Sequence, residues 1–426
     1  MSQIKESQYI KHIAELGDTH KIISHEDIYS KSGIKLVTKN CHINTKIYEH
    51  LLSHKLLKPL DESLIIDDCV TPEIIVSIIN GMVTNNLLLQ GIMSNLDGED
   101  NPINIIASLK IPEALSFKLT VLKNRLNKIF SQGLMVSLTA IYISKQMGIN
   151  NKDTGTIAFA GIFQNIGMLY LDNTIFEKES TLTNEDRKQI YTHPIIASLI
   201  LNAYLDNTDI AQYVMDHHER TDGSGYPRGI KEEEISVGGQ ILSVSELSVS
   251  LVENPGQYSY KSKIQAILKF NSEGYSKEAS NKLLNLTASL KEDKKMDLES
   301  VDREKFIKKL TLLWTSINRF KGAQNNSASI FLTEQLYTLK HNLVMSGINE
   351  ELINLDDDDI DEILHESEEI HAIINEASYK LKNIIRELKR RWLNKIEFDI
   401  NYREIAQWLN RRESVKKENN NTEENT

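Results

Sequence analysis

The chain has 426 residues, 40% of them hydrophobic, which is enough for two or three domains with full-sized cores. Its formal net charge of -11 argues against broad electrostatic attraction to nucleic acid or anionic lipid, so neither is expected as a partner. Two cysteines, Cys41 and Cys69, offer neither a disulfide framework nor the spacing of zinc ligands.

Met1 to Glu6 lacks the apolar core of a signal peptide, and no apolar run approaches the roughly 18 residues that span a bilayer. A cytoplasmic protein that does not enter the membrane is therefore expected. Seven prolines in the whole chain, with long runs at helical spacing, predict a mostly α protein.

Residues 1–70 read as a small α+β module. Ile34 to Val37 follow Gly33 as a short strand, and Asn44 caps a short helix with Ile47, Leu51 and Leu52 on one face. Lys58-Pro59-Leu60-Asp61 reads as a turn. His25, His42, His50 and His54 share no repeated ligand spacing, so packing or surface roles are expected of them.

Thr71-Pro72-Glu73 combines a Thr cap, a proline at the first helical position and an acid in the first turn. From there to residue 290 the pattern is helical. Ile75, Ile78, Ile79 and Met82 line one face, and Leu134, Leu138 and Ile141 line another, with Tyr142 beside them. Met147-Gly148 ends a helix, Asn150 or Asn151 starts the next, and Leu182 to Asp186 reads as a loop before a capped helix.

The charged stretch 290–300 marks a boundary. A helical region over 291–415 follows, interrupted by a loop from Gly322 to Ser327. Asp356–Asp359 reads as the solvated start of a helix. Ile370, Ile374, Ala377, Leu381, Ile384, Leu388 and Trp392 then recur at spacings of three and four. That stripe fits either a core-facing helix or the seam of a homodimer through residues 370–396. Arg386, Lys389, Arg390 and Arg391 suit the far end of such a helix, with a nucleic-acid patch as the sharper alternative. Residues 416–426 are polar, and a disordered tail is expected.

The chemistry concentrates in the run His217-His218-Glu219-Arg220-Thr221-Asp222-Gly223-Ser224-Gly225-Tyr226-Pro227. Two adjacent histidines and a carboxylate precede a glycine-rich turn closed by Tyr-Pro. This run resembles the signature of the HD-GYP family, metal-dependent phosphodiesterases that open cyclic di-GMP. The resemblance covers roughly residues 125–290 and implies an HD-superfamily helical domain. With the rest of the chain, the expected fold is mostly α, with a small N-terminal α+β module and a C-terminal helical extension.

Hydrolysis of a phosphodiester at neutral pH needs an activated water and a way to spread negative charge, and two metal ions supply both. The resemblance implies ligand positions residue by residue. His193, in Thr192-His193-Pro194, and the pair His217 and His218 match metal histidines, and Glu246 stands at the last carboxylate position. The His-Asp dyad and its following Lys fall on Gln164, Asn165 and Met168. An upstream histidine falls on Gln132, and two phosphate-side arginines fall on Pro255 and Tyr258.

The departures share a direction. Asn165 cannot bridge two cations with negative charge, and Gln132 and Gln164 offer neutral amides in place of imidazoles. Nowhere does a His directly precede an Asp. Losing even outer-shell partners weakens a metal site by about 10- to 100-fold each. The expectation is therefore no catalytic residue and no cofactor, or a single divalent iron, manganese or zinc ion on His193, His217, His218 and Glu246.

The loop Asp222, Gly223, Ser224, Gly225, Tyr226 and Pro227 remains intact, either as a recognition loop or as a turn the fold needs. Together these features imply a degenerate HD-GYP-like regulatory protein that binds a partner protein or a nucleotide such as cyclic di-GMP. A protein partner is favoured, because the cations that would pair with a dianionic dinucleotide are missing. The alternatives are an active phosphodiesterase with an unusual metal site and a dimerising scaffold.

Overall fold

The computed structural model describes residues 3–177, 182–253, 259–290, 303–318, 320, 326–349, 352, 368–399, 402–403 and 405–409. Pro255, Tyr258, the charged residues 291–300, the loop residues 322–325, Asp356–Asp359 and the tail 416–426 lie outside the described residues. The chain divides into two compact units, one of residues 1–253 with 273–290, the other of residues 254–272 with 291–426.

In the first unit the N-terminal segment holds a helix, Gln3–Gly17, that the sequence reading did not place. It buries Tyr9, Ile10, Ile13, Ala14 and Leu16. Strands Ile22–Ser24 and Leu64–Ile66 pair antiparallel, as do Ile28–Tyr29 and Lys35–Val37. The last of these begins one residue later than predicted. Ile34 is held in the preceding turn, where its carbonyl accepts from Ser30 N at 2.9 Å and Gly33 takes φ 81°. Asn44 caps the helix Thr45–Leu52 by accepting from Lys46 N, as predicted.

Residues 1–70 do not stand apart from the helical domain. The cause is polar as well as apolar. Val70 N donates to Thr120 Oγ1 at 2.8 Å, Ser116 Oγ donates to Val70 O at 2.6 Å, and the buried ammonium of Lys118 pairs with Asp61 at 3.0 Å. Thr120, Ser116 and Lys118 all sit on the helix Glu113–Arg125. A lysine buried this deeply persists only with such a partner, because an unpaired buried charge costs several kcal/mol (roughly 3–5 on removing one partner).

Thr71 caps Pro72–Val83 through Ile74 N, and Asn150 caps Asn151–Phe163 through Asp153 N. Thr183 and Asp186 form a reciprocal capping box ahead of Asn184–Ile190. The helices Asn127–Gln146 and Asn151–Phe163 cross closely at two glycines. A Cβ on Gly133 would lie 2.9 Å from Ile162 O, and one on Gly161 would lie 3.0 Å from Ser137 Cα. The short turn Ile166–Tyr170 continues from this pair and meets the helix His193–Tyr204. There a Cβ on Gly167 would lie 2.3 Å from His193 O.

The second unit packs Tyr260–Phe270, Arg303–Asn318, Ser327–Met345 and Glu368–Phe398 around one core. Ile374, Ala377, Leu381, Ile384 and Leu388 are all buried there, beside Phe270, Trp314 and Leu332. Most of the predicted stripe is thus covered by its own chain, with Ile370 and Trp392 partly buried against the same core. Because Tyr260–Phe270 joins this core, the chain passes between the units three times and not once near residue 291. No single helix among the described residues is long and apolar enough to cross a membrane.

Candidate metal centre

Three imidazoles converge in the first unit. His193 opens the helix His193–Tyr204, with Pro194 fixing its first turn, and His217 caps the C-terminus of Thr208–Asp216. One ligand atom from each of His193, His217 and His218 lies within 4.8 Å of the others. His193 Nε2 and His217 Nε2 are 3.2 Å apart. Each ring donates its Nδ1–H to a backbone carbonyl, His193 to Ile190 O at 2.7 Å and His217 to Val214 O at 2.5 Å. A carbonyl only accepts, so both Nε2 atoms of the neutral rings present lone pairs to one another. Two facing lone pairs repel unless a proton or a cation lies between them. Fixing the tautomer through a second-nitrogen hydrogen bond is how imidazoles are held toward metal ions.

The fourth predicted group lies beside the three histidines and does not converge with all of them. Glu246, on the helix Val237–Glu253, places Oε2 3.3 Å from His218 Nδ1, without the alignment of a hydrogen bond. Burial lowers the pKa of His193 to about 4 and holds His217 and His218 below the ordinary imidazole value, so the rings are neutral and able to ligate. Burial raises Glu246 to about 7, opposed by the nearby charge of Arg220. Three neutral imidazoles are a donor set that could hold a metal ion, and the geometry suits an ion where the sequence favoured none.

The positions read as a lost dyad are also plain. Gln164 and Asn165 follow the helix Asn151–Phe163, three and two residues before the close contact of Gly167 with His193. Both are buried. Gln164 Oε1 and Nε2 and Asn165 Oδ1 have no hydrogen-bond partner among the described residues. Met168 is half-buried in the next turn and brings no charge, and Gln132 is half-buried beside the Gly133 crossing.

The motif's own carboxylate is structural. Glu219 accepts from the backbone N–H of Arg228 at 2.8 Å, Gly229 at 3.0 Å and Ile230 at 3.3 Å, and so ties down the far side of the loop. Asp216, just before the paired histidines, accepts from Ser236 N and Oγ at 3.0 and 2.7 Å and pairs with Arg228. Within the loop Asp222 accepts from Ser224 N at 2.9 Å, and Tyr226 N donates to His218 O at 3.1 Å. Gly225 is required by close approach, since a Cβ there would lie 2.4 Å from Arg220 N and 2.5 Å from His218 O. The Tyr226–Pro227 bond is cis.

The loop therefore sets Tyr226 against the histidine cluster. Its ring stacks on His218 at 4.4 Å, and Tyr191, 45% exposed, stacks on its other face at 4.2 Å. Sequence reasoning missed Tyr191, and it missed Arg220 as a local cation. Arg220 donates to Ser243 Oγ at 2.7 Å and stacks on Tyr275 at 4.6 Å. Their nearness in sequence to His193 and His218 was the available signal. Asp216 and Arg228 were missed for want of any motif.

Residues 113–277 match the HD domain family. The cyclic di-GMP phosphodiesterase PdeB of Borreliella burgdorferi is 28% identical over 116 residues, 27% of this chain and 31% of that protein. A cyclic di-GMP phosphodiesterase of Thermotoga maritima is 36% identical over 108 residues, 24% and 29% of the two chains. The 3'3'-cGAMP-specific phosphodiesterase 1 of Vibrio cholerae is 24% identical over 124 residues, 29% of each chain. The chain thus spans about 30% of the length of these relatives. Among solved structures, Bd1817, an HDG"Y"P protein from Bdellovibrio bacteriovorus, aligns with TM-score 0.36 and 13% identity over 65% of this chain and 98% of that one.

Proposed function

Taking residues 113–277 as an HD domain of mostly α fold, we propose that the chain is a regulatory, cytoplasmic HD-GYP-like protein that binds cyclic di-GMP and has lost two-metal hydrolysis. The observation that carries this reading is the pair Gln164 and Asn165, buried neutral amides where the resemblance places a histidine and an aspartate. Two adjacent cations repel one another, and a bridging carboxylate offsets that repulsion. An amide oxygen supplies no such charge. His193, His217 and His218, with Glu246 beside them, would hold one ion. When bound, that ion supplies Lewis-acid polarisation of a phosphate oxygen.

The remaining chemistry favours holding a nucleotide. Tyr191 offers an exposed ring for a base, and such stacking contributes roughly 1–3 kcal/mol per base. Arg220 supplies a cation near the centre, which answers the absence of a lysine at Met168. The exposed side of the Asp222–Pro227 loop is the surface offered to a partner protein.

A calorimetric titration of cyclic di-GMP, paired with chromatography of the products, tests this. Saturable binding without linear dinucleotide product is expected, about tenfold weaker in Tyr191→Ala. Multiple turnovers would overturn it. They would favour the second reading, an active phosphodiesterase, which the convergence of three imidazoles supports.

A further inference from the structure

The helix Ser327–Met345 carries apolar side chains on two opposite faces. Leu332, Leu336, Leu339 and Leu343 are buried in the core of the second unit, as an amphipathic helix requires. On the other face Ile330 is 51% exposed, Tyr337 71% and Val344 47%, with Met345 beside them at 62%. Ile330, Tyr337 and Val344 recur every seven residues, so they form one stripe along the helix. Single exposed apolar residues are ordinary, whereas a continuous stripe on the solvent side of a helix marks a contact surface.

The polar residues on that stripe show what fits it. Glu334, the helix's only acid, is exposed one turn after Ile330. His341 is half-buried one turn after Tyr337, and the two rings stack 6.4 Å apart with 10° between their planes. Lys340, the helix's only lysine, is drawn away from the stripe. Its ammonium donates to Asn318 Oδ1 at 2.8 Å and lies 5.6 Å from the centre of the Trp314 ring.

Reversed end for end, the stripe matches itself. A twofold axis beside Tyr337 and Thr338 sets Glu334 of one copy toward His341 of the other, and Ile330 toward Val344 and Met345. A parallel copy would set carboxylate against carboxylate and align the two helix dipoles. A partner of unrelated sequence does not require an acid and an imidazole at mirror positions about an aromatic residue. A second copy does.

We propose that this stripe is the contact surface for a second copy of the chain, in an antiparallel, twofold pairing of Ser327–Met345. The Tyr337 rings pack at its centre, and on each side the His341 imidazole donates to the Glu334 carboxylate of the other copy. The surface lies outside residues 113–277 and does not rest on the metal centre. A single helix face buries less than the roughly 800 Å² per partner of a standard interface, so a dissociation constant on the order of 10 µM is expected.

Sedimentation equilibrium of the full chain should show monomer passing to dimer across that concentration. Tyr337→Glu should leave the chain monomeric with an unchanged melting temperature, because the side chain it replaces is exposed. Glu334→Lys and His341→Glu should each weaken the dimer by about tenfold, and the double variant should restore it, since opposite charges then meet again across the axis. With p-benzoylphenylalanine in place of Tyr337, photo-cross-linking should yield covalent dimers joined through Ser327–Met345. A monomer at every concentration overturns the proposal. So does a dimer that Tyr337→Glu leaves intact, growth beyond a dimer, a double variant no tighter than the single ones, or a cross-link confined within one chain.

Discussion

His193 and His217 meet through their Nε2 atoms because each Nδ1 proton is committed to a backbone carbonyl. The sequence shows that two such histidines exist, but not which nitrogen faces inward, since tautomer follows from carbonyls three residues upstream. Gln164 and Asn165 were legible as departures by position, and their burial without partners gives that departure its cost. Restoring both groups, Gln164→His with Asn165→Asp, should raise the bound metal per chain, measured by elemental analysis after dialysis. No increase would count against the assignment of these positions. Glu219 was legible only as part of a motif. Its acceptance of three backbone N–H groups depends on a loop path that brings residues 228–230 back to it. Glu219→Ala leaves those three buried donors without their acceptor and should destabilise the first unit by about 3 kcal/mol in denaturant titration. A variant as stable as the parent would refute the structural role.

At the scale of elements, four helix starts could be read from caps, because Thr71, Asn44, Asn150 and Thr183 act within three residues of themselves. The helix Gln3–Gly17 was not placed from its own sequence, since its burial comes from partners far along the chain. The loop Asp222–Pro227 was legible as a glycine-rich turn, although two of its glycines act differently. Gly223 takes φ 79°, whereas Gly225 is needed because backbone atoms of Glu219, Arg220 and His218 leave no room for a Cβ. Gly225→Ala should cost about 2 kcal/mol and displace Tyr226 from His218, seen as a lower melting temperature with a changed near-ultraviolet tyrosine signal. Melting unchanged from the parent chain would show that the loop yields freely. The stripe on Glu368–Phe398 was legible as a face, and what covers it was not. Period alone cannot distinguish a chain's own core from a second copy.

For the whole molecule, the break near residue 291 marks one of three passages between units, because Tyr260–Phe270 contributes Ala266 and Phe270 to the second core. Such an excursion leaves no composition signal. Stability as a function of pH is a property of the whole chain. His12 is buried on the first helix, where desolvation and the charges of Arg125 and Lys11 lower it from 6.5 to about 4. Its folded form binds a proton less readily than its unfolded form. The contribution is therefore full above pH 6.5 and is lost as pH falls toward 4, by up to about 3 kcal/mol. His12→Leu should flatten that part of the stability curve, and an unchanged slope would assign it to other groups. The central claim is that three imidazoles hold one ion and that neutral amides keep a second away. Metal content per chain after saturation and removal of excess iron, manganese or zinc tests it most directly. One equivalent is predicted for the unaltered protein and none for His217→Ala, whereas two equivalents in the unaltered chain would contradict the account.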